Sequence, residues 1–552
     1  MREAAARLRQ HRVAAGALLL AAILVLALVL RLKGISYGLP YSLINIDETV
    51  VVPKGFAAAR GHVNPQFFLY PSLFFYLLGA LDLLAAPVLW LTREGNPLSL
   101  ATFIVDPGPY YLLGRLLSAA FGTVSVYLVY RLGRDAFGRP AGLLAALFLA
   151  VLPLHVAYSH MAVTDVTATA LSLLSLLLLF GAAQGRGRRW LIAGAAAAGL
   201  ATSTKYNLGM LVLPATVAAF YACRGEAASR VASGSRAARV WLRLLAARLY
   251  GPMLAAFVIG SPFVVIDAGH FVSDFVKQSR IQGRGWLGYE NAPNGFWYNL
   301  TTNLDSTLGI VLLVLCLTGL AWALWRRTPL DLMLAPYAIV YYLYISTWQA
   351  LADRYLLPLL PVLVLFAARL CVEALSASGR WRRVALVVMA GLVAVALFVP
   401  LSASLDYDGS LSGSDTRLRA KAWVEGNVPT GSVIAAENYG PPLVSIDHAG
   451  FYTGDRAKPP MYRLVWLALP GPGVAEPTHS LAWLQGQQAD YAIVSSTVSD
   501  RVLAAAQVYP EIVAFYRSLD ASAELVKVFT PAEGERGPMI KLYRLDGSKP
   551  PA

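Results

Sequence analysis

The sequence predicts an α-helical polytopic membrane protein with a small extracytoplasmic α/β domain at its C-terminal end. Three observations predict it. Of 552 residues, 57% are hydrophobic and 14% charged, and the mean hydropathy is +0.55, outside the range of soluble globular proteins. Apolar runs long enough to cross roughly 30 Å of hydrocarbon recur along the first 403 residues. Between them lie short arginine clusters, the pattern that marks cytoplasmic loops. The net charge of +14 is therefore assigned to topology, and no nucleic-acid partner is expected.

The first run, Val13 to Leu30, follows the basic lead-in "MREAAARLRQHR". It is too long for a signal-peptide core and has no clear small-residue cleavage site. It reads as a retained span with a cytoplasmic N-terminus, because Arg2, Arg7, Arg9 and Arg12 before it outnumber Arg31 and Lys33 after it. A first outer loop over about 33–109 follows, holding the adjacent carboxylates Asp47 and Glu48 in "NIDETVVV".

Further spans are expected near 110–131, 140–158, 164–183, 190–204, 207–222, 249–266, 303–325, 330–348, 354–372 and 384–403, eleven in all with the first. The basic clusters 131–139, 185–189, 224–248, 326–327 and 379–383 fall on one side only if the apolar segment 67–91 does not cross. That segment, interrupted by Pro71 and Asp82, is expected to be interfacial or re-entrant. Residues 1–403 thus form the membrane domain and 404–552 the outer domain. There, "DTRLRAKAWVEGNVP" reads as an Asp415-capped helix, and "SVIAAE", "DYAIVSS", "ELVKVF" and "MIKLYRL" as short strands. No repeat suggests a solenoid or inverted-repeat transporter. Cys223, Cys316 and Cys371 lie in or beside apolar segments without metal-ligand spacing.

Polar groups at span ends carry the functional information, because burying an unpaired charge is costly. Besides Asp47 and Glu48, the outer ends hold His155, His160 and Asp165 in "PLHVAYSHMAVTD", Lys205 in "TSTKYN", Asp267, and Asp353 with Arg354 in "ADRY"; the long outer loop 267–302 adds Lys277, Arg280 and Arg284. Acidic and basic groups converging on one membrane face define a candidate site. Each has a plainer reading: Asp165 and Asp267 suit helix caps, and Lys205 and Arg354 suit snorkelling to headgroups. His155 and His160 are five apart, not the three or four that places ligands on one helical face. Asn299-Leu300-Thr301 matches a glycosylation sequon, and Asp406-Tyr407-Asp408 has a DxD spacing but falls in expected linker just past the last span.

On these residues the chain resembles the GT-C superfamily of membrane glycosyltransferases, in the branch holding the protein O-mannosyltransferases and the bacterial aminoarabinose transferase of lipid A. The resemblance covers roughly 13–375 and rests on "NIDET", "YPSLFFYLL", "RLLSAAFGTVSVYLVYRLGRDAFGRPAGLLAALFLAVLPLHVAYSHMAVTD", "GLATSTKYN" and "RYLLPLLP" in this order. It implies the GT-C fold with juxtamembrane helices in the first outer loop. It also implies an inverting enzyme of the plasma (inner) membrane that moves a sugar from a polyprenyl-phosphate donor to a lipid, glycan or protein acceptor on the outer, periplasmic face.

By the resemblance Asp47 is the catalytic carboxylate, Asp165 a second acidic position and Lys205 a basic position of the same cavity. Displacing a lipid phosphate needs a base at the acceptor hydroxyl and cations at the departing phosphate. Glu48 is expected to orient the acceptor or hold a cation. Lys205, Arg280, Arg284 and Arg354, with Tyr206, Tyr70 and His160, are expected on the donor side. No cofactor is required; Glu48, His155 and His160 leave room for a divalent metal. The sequence departs from the aminoarabinose branch at Tyr70, where that branch has a lysine, and lacks recognisable MIR repeats. Two alternatives stay open: a GT-C enzyme using a lipid-linked oligosaccharide or pentose, and a lipid-linked sugar transporter or flippase.

Overall fold

The computed structural model describes residues 2–41, 44–230, 235–376, 382–452, 458–471 and 476–545. The side chains of the N-terminal arginines, part of the basic stretch 224–248 and most of 379–383 lie outside the described residues. Among the described residues, eight helices are long and apolar enough to cross a membrane, or nine if Arg139–Val151 and Pro153–Ser159, bent by 63°, form one span. This differs from the eleven expected. Segments 190–204, 330–348 and 354–372 form the helices Arg188–Thr202, Pro329–Ser346 and Leu360–Leu375. At 15 residues the first is only about 22 Å long. In the third, every residue from Leu360 to Arg369 is buried. Helices enclosed by other helices do not need a lipid-facing apolar belt of full length.

After the first helix, α1 (Arg2–Leu32), the first outer loop folds into a helical hairpin of α2 (Ile46–Ala59) and α3 (Leu73–Thr92). Glycines allow its close packing: a Cβ on Gly79 would lie 2.8 Å from the Gly55 carbonyl oxygen. α3 is itself long and apolar enough to cross, yet both its ends are tied to the same end of the bundle. At its start, the Ser72 amide donates to Ser261 Oγ (2.9 Å) and the Leu73 amide to the Ser203 carbonyl (3.0 Å), beside the ends of Arg188–Thr202 and Gly251–Gly260. At its finish, Arg93 pairs with Asp106, just before Gly108–Phe137 begins. These places share one end, because Arg115 on the latter helix and the Ala162 amide, next to the start of Thr164–Ala183, bind one Glu48 carboxylate. This is the geometry of an element that lies along the membrane.

The last apolar helix runs from Arg382 to Leu411, eight residues past the expected boundary at 403. Asp406-Tyr407-Asp408 is therefore helical and not linker, and Asp408 is buried against His160 (3.7 Å). Beyond it lies the helix Thr416–Asn427, capped by Asp415 as expected, and a six-stranded sheet in the order β2-β3-β1-β4-β6-β5. The four expected strands are β1 (Val433–Ala436), β4 (Tyr491–Ser495), β5 (Glu524–Phe529) and β6 (Ile540–Arg544). The sequence reading omitted β2 (Val444–Ser445) and β3 (Met461–Trp466). β2, β3, β1 and β4 are parallel neighbours, while β6 runs antiparallel to both β4 and β5.

The outer domain is tied to the membrane part at several places among the described residues. Arg417 Nη1 donates to the Ile44 carbonyl, at the entry to α2 (2.6 Å). Leu287 enters the core of the outer domain, and Asn291 Nδ2 donates to the Ala504 carbonyl (2.6 Å).

Candidate active site

The site begins with a helix N-terminus. Asn45 caps α2 by accepting from the Asp47 amide (3.2 Å), which puts Asp47 and Glu48 in the first turn. Carboxylates are favoured there by the unpaired amides of the helix end. Neighbours on a helix point about 100° apart, and these two diverge.

Glu48 turns inward and is fully buried. Its carboxylate accepts from Arg115 Nε (2.8 Å) and Nη2 (2.7 Å) and from the Ala162 amide (2.7 Å). Arg115 also donates to the Ile35 and Tyr37 carbonyls and lies over the Tyr37 ring at 4.1 Å. Glu48 is thus enclosed as an anchor, which corrects the expectation that it orients an acceptor or holds a cation.

Asp47 turns the other way, its side chain 43% exposed, and accepts from Arg354 Nη1 (2.7 Å). Arg354 is held by the short turn Asp353–Leu356, where Asp353 Oδ1 accepts from Tyr158 Oη (3.0 Å). Lys205, buried, pairs with Asp165 and also lies 3.4 Å from the Arg354 carbonyl. Burial lowers the Lys205 pKa, and Asp165 opposes that shift. Tyr355, under Lys205 at 4.8 Å, accepts from Gln282 Nε2 (2.8 Å).

Arg354, Lys205, Asp165, Tyr355 and Gln282 border a cavity of about 480 Å³, and Asp47 reaches it through its contact with Arg354. Asp165, Lys205, Asn207, Gln282 and Arg354 line its polar part; Phe257, Phe271, Phe275, Tyr344 and Trp348 line its aromatic part. Phe275 and Tyr344 are each 42% exposed, so the aromatic part reaches the apolar exterior of the bundle. Tyr70 and Tyr206 also line it, the latter donating to the Phe68 carbonyl (3.0 Å).

Four expected site residues are placed elsewhere. Arg280 and Arg284 sit on the exposed face of the helix Ala268–Arg284, opposite Phe271, Phe275, Gln278 and Gln282, because 3.6 residues per turn separates the two sets. His160 is buried, with its ring nitrogens 2.9 and 3.0 Å from the Val156 and Lys33 carbonyl oxygens. His155 Nδ1 lies 2.9 Å from Arg31. Glu48, His155 and His160 therefore do not converge on a metal site, and among the described residues no three His, Cys, Asp or Glu side chains form one.

Sequence reasoning missed several members. Arg115, a charge inside an apolar run, was the one with a usable signal. Tyr439 and Arg501 of the outer domain had none, since only folding brings them here. The Tyr439 phenol is raised by burial and lies within the electrostatic reach of Arg501, Asp47 and Arg354. Tyr439 also has φ +65°, an uncommon conformation for a non-glycine residue that is frequent at functional sites.

A multi-pass helical bundle carries an appended C-terminal domain, and the solved structures on which it superposes show its class: the chain has the GT-C fold of membrane glycosyltransferases. The family model for dolichyl-phosphate-mannose-protein mannosyltransferases matches residues 111–255. ArnT from Cupriavidus metallidurans bound to undecaprenyl phosphate superposes with a TM-score of 0.51 at 14% identity, covering 97% of this chain and 99% of that one. The Archaeoglobus fulgidus oligosaccharyltransferase tethered to an acceptor peptide gives 0.53 at 13% identity, covering 91% and 72%. The archaeal oligosaccharyltransferase AglB from the same organism, in complex with an inhibitory peptide and a dolichol-phosphate, gives 0.51 at 12% identity, covering 94% and 74%. No curated protein sequence matches.

Proposed function

We propose that this protein is an inverting glycosyltransferase that moves a sugar from a polyprenyl-phosphate carrier to an acceptor on the outer face of the plasma (inner) membrane. One observation carries the reading: the cavity joins two cations, Lys205 and Arg354, to an aromatic passage open to the bundle's apolar exterior, with Asp47 against the cationic end. A phosphate with a hydrocarbon tail matches both halves. The bound undecaprenyl and dolichol phosphates of ArnT and AglB support it.

In this reading Asp47 takes the proton of the acceptor hydroxyl, whose oxygen attacks the anomeric carbon from the face opposite the phosphate. The new glycosidic bond forms as the bond to the phosphate oxygen breaks. The electron pair stays on the lipid phosphate, which Lys205 and Arg354 stabilise. Asp165 holds Lys205 in place. No step is routed through a metal. In this reading the N-terminus is cytoplasmic, and the site and the C-terminal domain are extracytoplasmic.

The test is transfer of radiolabelled sugar by purified protein from a panel of polyprenyl-phosphate sugars, pentoses and lipid-linked oligosaccharides, with membrane extract as acceptor and with or without added divalent cation. Turnover of a monosaccharide donor by wild type but not by Asp47→Asn is expected. Turnover of oligosaccharide donors alone would replace the donor class. Lipid movement without transfer would replace the enzyme by a transporter.

A further inference from the structure

We infer that a groove between the first outer loop and the outer domain, distinct from the reaction cavity, binds the acceptor as a neutral carbohydrate chain; this rests on the transferase reading above. Pro40, Tyr41 and Pro107 line one wall, and Leu443, Tyr452 and Trp466 line the other, around about 470 Å³. Trp466 ends β3 with 43% of its surface exposed, and Tyr41 and Tyr452 are half-buried. Exposed aromatic faces over a cleft mark binding surfaces. Ser445, Asp447 and His448 supply polar atoms at the same rim. A sugar ring presents an apolar C–H face to an aromatic ring and hydroxyls around its edge, and this groove offers partners for both.

Charge selects against the alternatives with phosphates. Among the described residues no lysine or arginine lines the groove, in contrast to the reaction cavity with Lys205 and Arg354. Lys421, over the Tyr41 ring at 5.0 Å, is already paired with Glu425. Among the described residues, a lipid phosphate or other anionic ligand would meet the Asp447 carboxylate and no lysine or arginine.

Each wall is close in sequence to a residue of the reaction site. Tyr41 lies six residues before Asp47, a span of at most about 22 Å. Leu443 lies four residues after Tyr439, whose phenol is in the field of Asp47 and Arg354. A ligand lying in the groove with its end at Asp47 is therefore extended, as an oligosaccharide is and a single sugar is not.

The experiment measures binding of neutral oligosaccharides of several units (α-glucan, β-glucan and mannan series) to the full-length protein, in wild type, Trp466→Ala, Trp466→Phe and Asp47→Asn. At least one series is expected to bind wild type and Asp47→Asn alike, about tenfold more weakly to Trp466→Ala, and with partial recovery in Trp466→Phe, the loss expected of one stacking contact. Binding that is absent, or indifferent to Trp466, overturns the inference, as does displacement by extended peptides at equal affinity. Donor turnover on the same samples separates the two readings. Turnover without groove binding removes only this inference, whereas groove binding without turnover removes the transferase.

Discussion

Arg354 Nη1 lies 2.7 Å from Asp47 Oδ2, 307 positions away in the chain. The pairing means that the carboxylate proposed as the base is held by the cation proposed for the leaving phosphate. Arrival of the donor phosphate gives Arg354 a second anion to share, and the acceptor hydroxyl can then approach the freed Asp47 oxygen. On this account Asp47→Asn, which keeps the shape but not the basicity, lowers transfer by about 10²- to 10⁴-fold while leaving donor affinity within a few-fold. Single-turnover transfer and donor binding, measured separately, check it; unchanged transfer removes Asp47 as the base.

Lys205 and Asp165 form a buried pair, so Lys205→Ala does more than remove a phosphate contact. It leaves a buried carboxylate unpaired, which costs about 3–5 kcal/mol. The single variant should show a lowered apparent Tm as well as lost donor use. Lys205→Met with Asp165→Asn should restore the Tm and leave donor use impaired. Recovery of both would assign the pair to structure alone.

Glu48→Gln keeps one acceptor for the Ala162 amide but removes the charge facing Arg115. Both side chains are essentially inaccessible, so a loss of the same order, about 3–5 kcal/mol, is expected. It should appear as a lower apparent Tm in detergent with the reduction in transfer following from misplacement of α2. A fully stable but inactive Glu48→Gln would return Glu48 to the chemistry.

The outer domain's hold on the entry to α2 should weaken in acid. Burial pushes the Asp415 carboxyl up, but the hydrogen bonds and charge of Arg417 outweigh it and hold the pKa below the ordinary value. A depressed carboxyl contributes stability above its unfolded pKa, about 3.9, and loses it as the pH falls through the folded value. Asp415→Asn, still a good helix cap, should be less stable than wild type at pH 7. The difference in apparent Tm should shrink steadily below about pH 4; a difference independent of pH would show that the charge pair contributes nothing.

What was legible in the sequence depended on local signals. The helix starting at Asp415 was found because a cap and a following proline are read within a few residues. Four strands were found by their β-branched and apolar content, whereas β2 has only two residues and β3, "MYRLVW", mixes polar and aromatic positions. The last helix was ended too early because the polar "SASLDYDGSL" suggested linker, yet Asp408 is sheltered by tertiary contacts with His160. Arg280 and Arg284 were placed in the site because their loop was on the right face of the membrane. Loop membership says nothing about which side of a helix they occupy.

By itself the sequence determined that the chain is a membrane bundle with a C-terminal α/β domain, that Asp47 lies in the loop after the first span, and that Asp165, Lys205 and Arg354 lie at span ends, because hydropathy and charge placement are one-dimensional properties of the chain. Tertiary structure alone decided how the adjacent carboxylates divide, Glu48 toward Arg115 and Asp47 toward Arg354. It also decided that the Tyr439 phenol comes within the electrostatic reach of Asp47 and Arg354 and that Tyr41 and Trp466 share a groove. These depend on helix rotation and on contacts between residues hundreds of positions apart, which packing fixes and no local pattern encodes.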